Sequence, residues 1–251
     1  MYYNKLRLIY TKPLEDAEAY FAAAGITSTT EKDAYNAFVS GLKSDGVYSK
    51  LVTFHPFLGS NLTSKAYNAI NPSTGLITFF SNMASVSGGV SISTDGYASF
   101  PLPSSSITAN NAGFGAYSNG WKSIVYDTYC YIGYSIGGGW IYLKAYDGTS
   151  VSAQWDTIQG LALTSSKLIS MQSTLISGEY ATKIHFQGSE YKFSATANTR
   201  VPSGTFYFGN YSNSDDAVVT FGCHYTSLGL TSAEHALLNT RINTLMTAVG
   251  R

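Results

Sequence analysis

Covalent and acid–base chemistry has little to draw on in this chain of 251 residues: four histidines, two cysteines and fifteen acids. Nucleophilic catalysis needs a serine or cysteine beside a histidine that a carboxylate orients. Cys223 and His224 are adjacent in a strand-like run, "VVTFGCHYT", and neighbours on a strand point to opposite faces, which disfavours a direct dyad. His185 alternates out of phase with Ile184 and Phe186, which predicts an outward position. His235 falls in the first turn of a predicted helix and is expected in solvent. His55 stands in "KLVTFHPFLGSN" with no acid or nucleophile near it. Pro56 biases it to an extended backbone, and a packed scaffold residue is expected. Glycoside hydrolysis on a β-scaffold needs two carboxyl groups facing one sugar ring. The only glutamates of the strand-rich region are Glu179 and Glu190, neither with a second acid one or two positions away. "SIGGGW" is glycine-rich, but no helix follows it, so it reads as a loop and not as a phosphate cradle. No enzymatic activity is expected.

Non-covalent recognition fits the composition better. Aromatic residues make up 14% of the chain, twenty of them tyrosines. Sugar rings stack on aromatic faces, and tyrosine adds area and one hydroxyl at low entropic cost. Trp121 after "YSNG" and Trp140 after "GGG" are the candidate carbohydrate-binding residues, and Trp155, in an alternating run, is expected in the core. The loop "NYSNSDDAV" supplies hard oxygen donors at Asn213, Asp215 and Asp216, with Asn210 ahead of them. It would hold calcium weakly, and the same residues also suit a polar turn. Charged residues are 12% and the formal net charge is zero. Nucleic acid is therefore not an expected partner, since phosphate binding needs clustered lysine and arginine. No run of about 18 apolar residues would span a bilayer, and the N-terminal segment lacks a secretory pattern. Cys130 and Cys223 each lie in an apolar run as expected for buried thiols, and their pairing stays open.

The elements that must position these residues are readable from periodicity. "LEDAEAYFAAA" and "STTEKDAYNAFVSGLKSDG" predict two helices, the second with Ser28 and Glu31 spaced for a capping box. Its apolar stripe is Tyr35, Phe38, Val39 and Leu42. A last helix opens on Thr231 and Glu234, spaced the same way, with Leu238, Ile242, Leu245 and Val249 as its stripe. Between them lie short runs rich in Ser, Thr, Tyr, Ile and Val, separated by glycine and asparagine. Asp147-Gly148 and Gln187-Gly188 signal turns. Many short strands without a fixed period predict a sandwich or barrel. The fold class is mainly β: a two-sheet antiparallel jelly-roll sandwich with an N-terminal helix pair and a C-terminal amphipathic helix. The expected parts are a helical collar over 1–60, a sandwich over 61–229 and a C-terminal helix over 230–251.

Several stretches together carry a resemblance. They are "AGITSTTEKDAYNAFVSGLKSDGVYSKL", the element "FHPFLGS", "SKAYNAINP", "STDGYASFPL", "FYFGNYSN" and "GLTSAEHALL…TAVGR". This pattern resembles a family of virion proteins of tailed bacteriophages and prophages, whose body is similar to the concanavalin A-like jelly roll of lectins, laminin-G domains and family-16 glucanases. It covers residues 15 to 251. The chain departs from the family at Gly59-Ser60 and Ala66-Tyr67. The resemblance implies a structural virion protein, as capsid decoration, head fibre or tail component. Copies of itself and other virion proteins would be its partners, and host-surface glycans its candidate ligand. Two alternatives stand beside it, a free carbohydrate-binding module and a divergent family-16-like hydrolase.

Overall fold

A computed structural model describes residues 15–93, 96–101, 107, 111–118 and 218–251. Between 119 and 217 it describes strand segments, with side chains only at 190, 205 and 207–209. Helix α1 (Glu15–Ala24) ends at Gly25, whose φ of 65° lies in the left-handed region that glycine adopts without a Cβ penalty. Helix α2 spans Thr29–Ser44 and buries Tyr35, Phe38, Val39 and Leu42, the predicted stripe. Only half of the predicted capping box forms there. Ser28 Oγ accepts from Glu31 N at 3.3 Å, but the Glu31 carboxylate accepts instead from Gly59 N at 3.0 Å. The acid is used to pin the segment after Pro56 to the helix.

A short 3-10 turn, Tyr48–Lys50, leads into β1 (Leu51–His55). Helix α3 (Leu62–Lys65) follows, capped by Asn61. The strands after it are β2 (Thr78–Phe79), β3 (Met83–Val86), β4 (Gly89–Ile92), β5 (Tyr97–Pro101) and β6 (Asn111–Ser118). Then come β7 (Ser123–Tyr126), β8 (Cys130–Ser135), β9 (Trp140–Ala145), β10 (Gln154–Ile158) and β11 (Lys167–Ile176). The last are β12 (Glu179–Phe186), β13 (Ser189–Ser194), β14 (Thr205–Gly209) and β15 (Val219–Ser227), before helix α4 (Ser232–Ala248).

These strands make two antiparallel sheets. The first runs β13-β12-β11-β6-β15-β4-β3, and β1 also pairs with β15. The second runs β10-β9-β8-β7-β14-β5-β2. Strand β15 shares one of its edges between two partners, β4 along Val219–Phe221 and β1 along His224–Ser227. Residues 51–55, placed by sequence in the helical collar, are thus a strand of the sandwich. The pairing of His55 with His224 and Leu51 with Ser227 ties the collar to the sheet through the backbone ladder.

Register irregularity between Phe221 and Cys223 shifts the phase of β15. A bulge of this kind re-aims side chains. Phe221 and His224 both face the second sheet, where each ring meets Phe208. Cys223 and Tyr225 face the other way, into a cluster with Tyr20, Tyr35, Phe38, Phe54, Leu238, Ile242 and Met246. The two neighbours Cys223 and His224 do point to opposite faces, and both are fully buried. The first sheet is covered on one side by helices and on the other by the second sheet.

The helical layer is held by specific contacts. Phe38 stacks on Phe54 of β1 at 4.6 Å between centroids, and Tyr35 OH donates to Ala69 O at 3.1 Å. Helix α4 carries the full capping box at Thr231 and Glu234. Its Arg241 makes a two-pronged contact with Asp45 at 2.8 and 3.1 Å, and Glu234 pairs with Lys50 at 2.7 Å. At the far end, Arg251 donates to four backbone carbonyls, those of Pro56, Phe57, Ser87 and Gly222. That one guanidinium joins the Pro56 element, the β3–β4 turn and the bulge of β15. Lys65 grips the same turn from α3, donating to Val86 O and Gly89 O.

Candidate functional site

Strand alternation sorts the second sheet into two faces. On β5, Ala98 and Phe100 are fully buried toward the first sheet, and on β14 Phe208 is as well. Tyr97 and Tyr207 stand on the opposite, outer face and are only partly covered. Phe80, just beyond β2, stays 39% exposed. Its ring stacks on Tyr97 at 4.4 Å with planes 15° apart. The stack is fixed by the backbone, since Phe80 N donates to Tyr97 O at 3.0 Å. Tyr97 in turn meets Tyr207 at 6.2 Å. Gly209 allows the two strands to close at this point. Its φ is +102°, and a Cβ there would fall 2.7 Å from Gly96 O.

The backbone ladder continues across the sheet. Directly opposed residues of an antiparallel pair share a face. Tyr207 is opposite Ser99 of β5 and Tyr126 of β7. Tyr126 is opposite Tyr131 of β8, Tyr131 opposite Lys144 of β9, and Lys144 opposite Trp155 of β10. One register line therefore crosses all seven strands, from Thr78 on β2 to Trp155 on β10. Four of its seven positions are aromatic. Among the described residues, the helices pack against the first sheet and leave this face to the strands.

Trp140, a predicted sugar-stacking residue, is the first residue of β9 and shares its alternation phase with Tyr142 and Lys144. Its side chain lies outside the described ones. Trp155 lies in β10 opposite Lys144 of β9 in the backbone register, and its side chain lies outside the described ones. Trp121 and the calcium candidates Asn213, Asp215 and Asp216 lie outside the described residues. Tyr97, Tyr207 and Phe80 were missed as site residues. The signal was present in the alternation of "YASF" and "FYFG", but β14 inserts between β5 and β7 only in three dimensions.

The histidines divide differently. His235 is buried, not solvated. Ser232 Oγ bonds the Glu190 carboxylate of β13, so the first turn of α4 is seated on the first sheet. His55 and His224 are both fully buried between the sheets. Their rings lie 6.2 Å apart, in contact with Phe100 on both sides and with Phe208 stacked on His224. His55 Nε2 donates to Gly75 O at 2.8 Å, which fixes the neutral Nε2–H tautomer, because a carbonyl can only accept. Its Nδ1, and both nitrogens of His224, have no partner. Burial lowers the His55 pKa to about 4, partly opposed by the Gly75 hydrogen bond. Burial, then the nearby His55, pushes His224 well below the ordinary histidine value. Among the described residues, the rings packed against the two histidines are Phe100 and Phe208, both apolar. Cys223 is a free, buried thiol whose pKa burial raises to about 12, which removes it from thiolate chemistry.

The fold is a mainly β, two-sheet antiparallel sandwich with a helical layer on one sheet. No protein-family model and no curated protein matches the chain. Solved structures of the same architecture are similar to it at low identity. The binding domain of botulinum neurotoxin serotype D superposes with a TM-score of 0.56 at 9% identity, over 77% of this chain and 52% of that one. The chain thus spans about half the length of that toxin domain. The corresponding domain of botulinum neurotoxin DC, solved in complex with SialylT, gives 0.55 at 11% identity, over 79% and 52% of the two chains. Domain 4 of an extracellular arabinanase of Geobacillus stearothermophilus, solved with arabinotriose, gives 0.51 at 13% identity over 76% of this chain and 98% of that one.

Proposed function

We propose that this protein is a non-catalytic carbohydrate-binding domain that uses the outer face of its second sheet. The observation that carries this reading is the stacked, part-exposed aromatic patch of Phe80, Tyr97 and Tyr207 at one end of a register line rich in tyrosine. Flat rings with hydroxyls at their rims suit sugars, which present apolar C–H faces edged by hydroxyl groups. One of the similar folds was solved in complex with arabinotriose and another with SialylT, which supports the reading. A binding role is favoured over hydrolysis by the acids. The seven strands of the second sheet contain one carboxylate residue, Asp156. Hydrolysis would need two carboxyls on that face.

The setting proposed for the domain is a phage particle, with the helical layer docked on other virion proteins or on copies of this chain and the aromatic face turned to the host. The family resemblance of the chain's two ends and of the "FHPFLGS" element supports this. A glycan array tests the binding function. Wild-type protein should bind a subset of glycans without altering them, and Tyr207→Ala should weaken that binding about tenfold or more. An array with no signal, or binding unaffected by the substitution, would overturn the proposal.

A further inference from the structure

We propose that the seam between the two sheets is an acid-triggered clamp: protonating His55 and His224 parts strands β5 and β14 from the first sheet and dismantles the aromatic patch on their outer side. This rests on the carbohydrate-binding reading and adds to it how the site is regulated. The two histidines are opposed across the β1–β15 ladder and are fully buried. What they touch is the binding sheet, from behind. Phe100 of β5 lies 5.4 Å from His55 and 5.0 Å from His224. Phe208 of β14 stacks on His224 at 5.4 Å with planes 15° apart. Phe208 directly follows Tyr207, and Phe100 directly follows Ser99, the register partner of Tyr207. The strands that space Tyr97 from Tyr207 therefore rest on the histidine rings.

The seam is built for neutral rings. Facing the pair are the Gly75 carbonyl, Phe100, Phe208 and, opposite His224, Ala116 of β6. None of these titrates. Among the described residues, each histidine is the one ionisable group facing the other. A second proton on His55 would sit on Nδ1, which has no partner, and neither nitrogen of His224 has one. Two such cations with ring centres 6.2 Å apart also repel. Relief comes from water, which reaches the rings when one wall moves. The first sheet is the fixed wall. Behind the pair, Cys223 and Tyr225 are packed into the helical layer, and Arg251 donates to Gly222 O at 2.9 Å. That layer keeps its ion pairs in mild acid. Hydrogen bonds from Arg241 lower the Asp45 pKa; burial raises that of Glu234, but the bonds from Lys50 and Thr231 outweigh it. The moving wall is β5 and β14, which no helix covers among the described residues.

Thiol labelling locates the opening. In a Cys130→Ser, Val90→Cys protein, the introduced thiol lies on the seam, opposite Phe221, and native Cys223 lies on the helical side, both at fully buried positions. A dipyridyl disulfide, which reacts with thiols in acid, is applied at about pH 7.5 and about pH 4.5, and peptide mass spectrometry reads each site. At the higher pH both thiols should be protected. At the lower pH the seam thiol should react about tenfold or more faster than Cys223. Adding His224→Leu, or His224→Phe, which keeps a ring against Phe208, should slow it severalfold. Equal rates at the two thiols in acid would mean global unfolding and overturn the clamp. A seam thiol that stays protected in acid, or that is indifferent to both substitutions, would overturn it as well. Glycan arrays read at the same two pH values test the link to binding. Glycans retained at the higher pH should lose about tenfold or more of their signal at the lower, and less of it with His224→Leu. Undiminished signal beside an opened seam would overturn the link. An array empty at both values would overturn the carbohydrate reading, while the thiols still decide the opening.

Discussion

Lowering the pH from about 7.5 to about 4.5 titrates histidines in the unfolded chain that the folded sandwich keeps neutral. His55 and His224 are fully buried between Phe100 and Phe208. Both have folded pKa values below the unfolded value of about 6.5. The unfolded chain therefore takes up protons first as the pH falls. Stability is intact above about 6.5 and is lost progressively below it, continuing for His55 until its folded pKa of about 4. At 1.36 kcal/mol per pH unit, the loss by pH 4.5 is about 2.5 kcal/mol for His55 alone, and His224 adds to it in the same direction. That is a large part of the roughly 5–15 kcal/mol that holds a domain folded. The paired carboxylates contribute at lower pH. The Asp45 pKa is lowered by its hydrogen bonds from Arg241. Burial raises that of Glu234, but the bonds from Lys50 and Thr231 outweigh it. Urea unfolding at a series of pH values measures the effect, with His224→Leu as the diagnostic variant. It removes two unpartnered buried nitrogens, so at neutral pH it should be as stable as the wild type or about 1 kcal/mol more stable. Its acid-induced loss should be clearly smaller than that of the wild type. A wild-type stability that is flat from pH 7 to 5, or a variant with an undiminished slope, would refute the argument.

Three further outcomes follow from the same packing. Arg251→Ala should cost about 3 kcal/mol in urea unfolding, because four carbonyls lose a charged donor at once. Arg251→Lys should recover less than half of that, since an ammonium cannot reproduce the planar fork. In a Cys130→Ser background, Cys223 should not react with a maleimide at pH 8 while folded and should react fully in denaturant, as its buried thiol stays protonated. Phe54→Ala should destabilise by about 3–5 kcal/mol, since its ring joins β1 to the helical layer by stacking on Phe38.

How legible each part was in the sequence depends on the range of the interaction that decides it. The helix starts were local, so Ser28 and Thr231 could be read as caps and the α2 stripe as core. The sandwich class was readable because alternation and turn residues recur along the chain. The place of β1 was not, because five residues ahead of Pro56 gain their strand character only from β15, about 170 positions later. His235 sits where a helix turn is commonly solvated, and only the contact of Ser232 with Glu190 shows the turn seated on a sheet. The outer-face pair of Tyr97 and Tyr207 was out of reach because alternation shows that a strand has two faces and not which one is inward. Tyr207 joins Tyr126 and Ser99 only because β14 enters the sheet between strands that precede it by about 80 residues or more.

The central claim is that glycans bind on the outer face of the second sheet. A crystal structure of the protein soaked with its best-binding oligosaccharide tests it most directly. Sugar density is expected over Phe80, Tyr97 and Tyr207. Density at the loops joining the two sheets, or on the helical side of the first sheet, would contradict it.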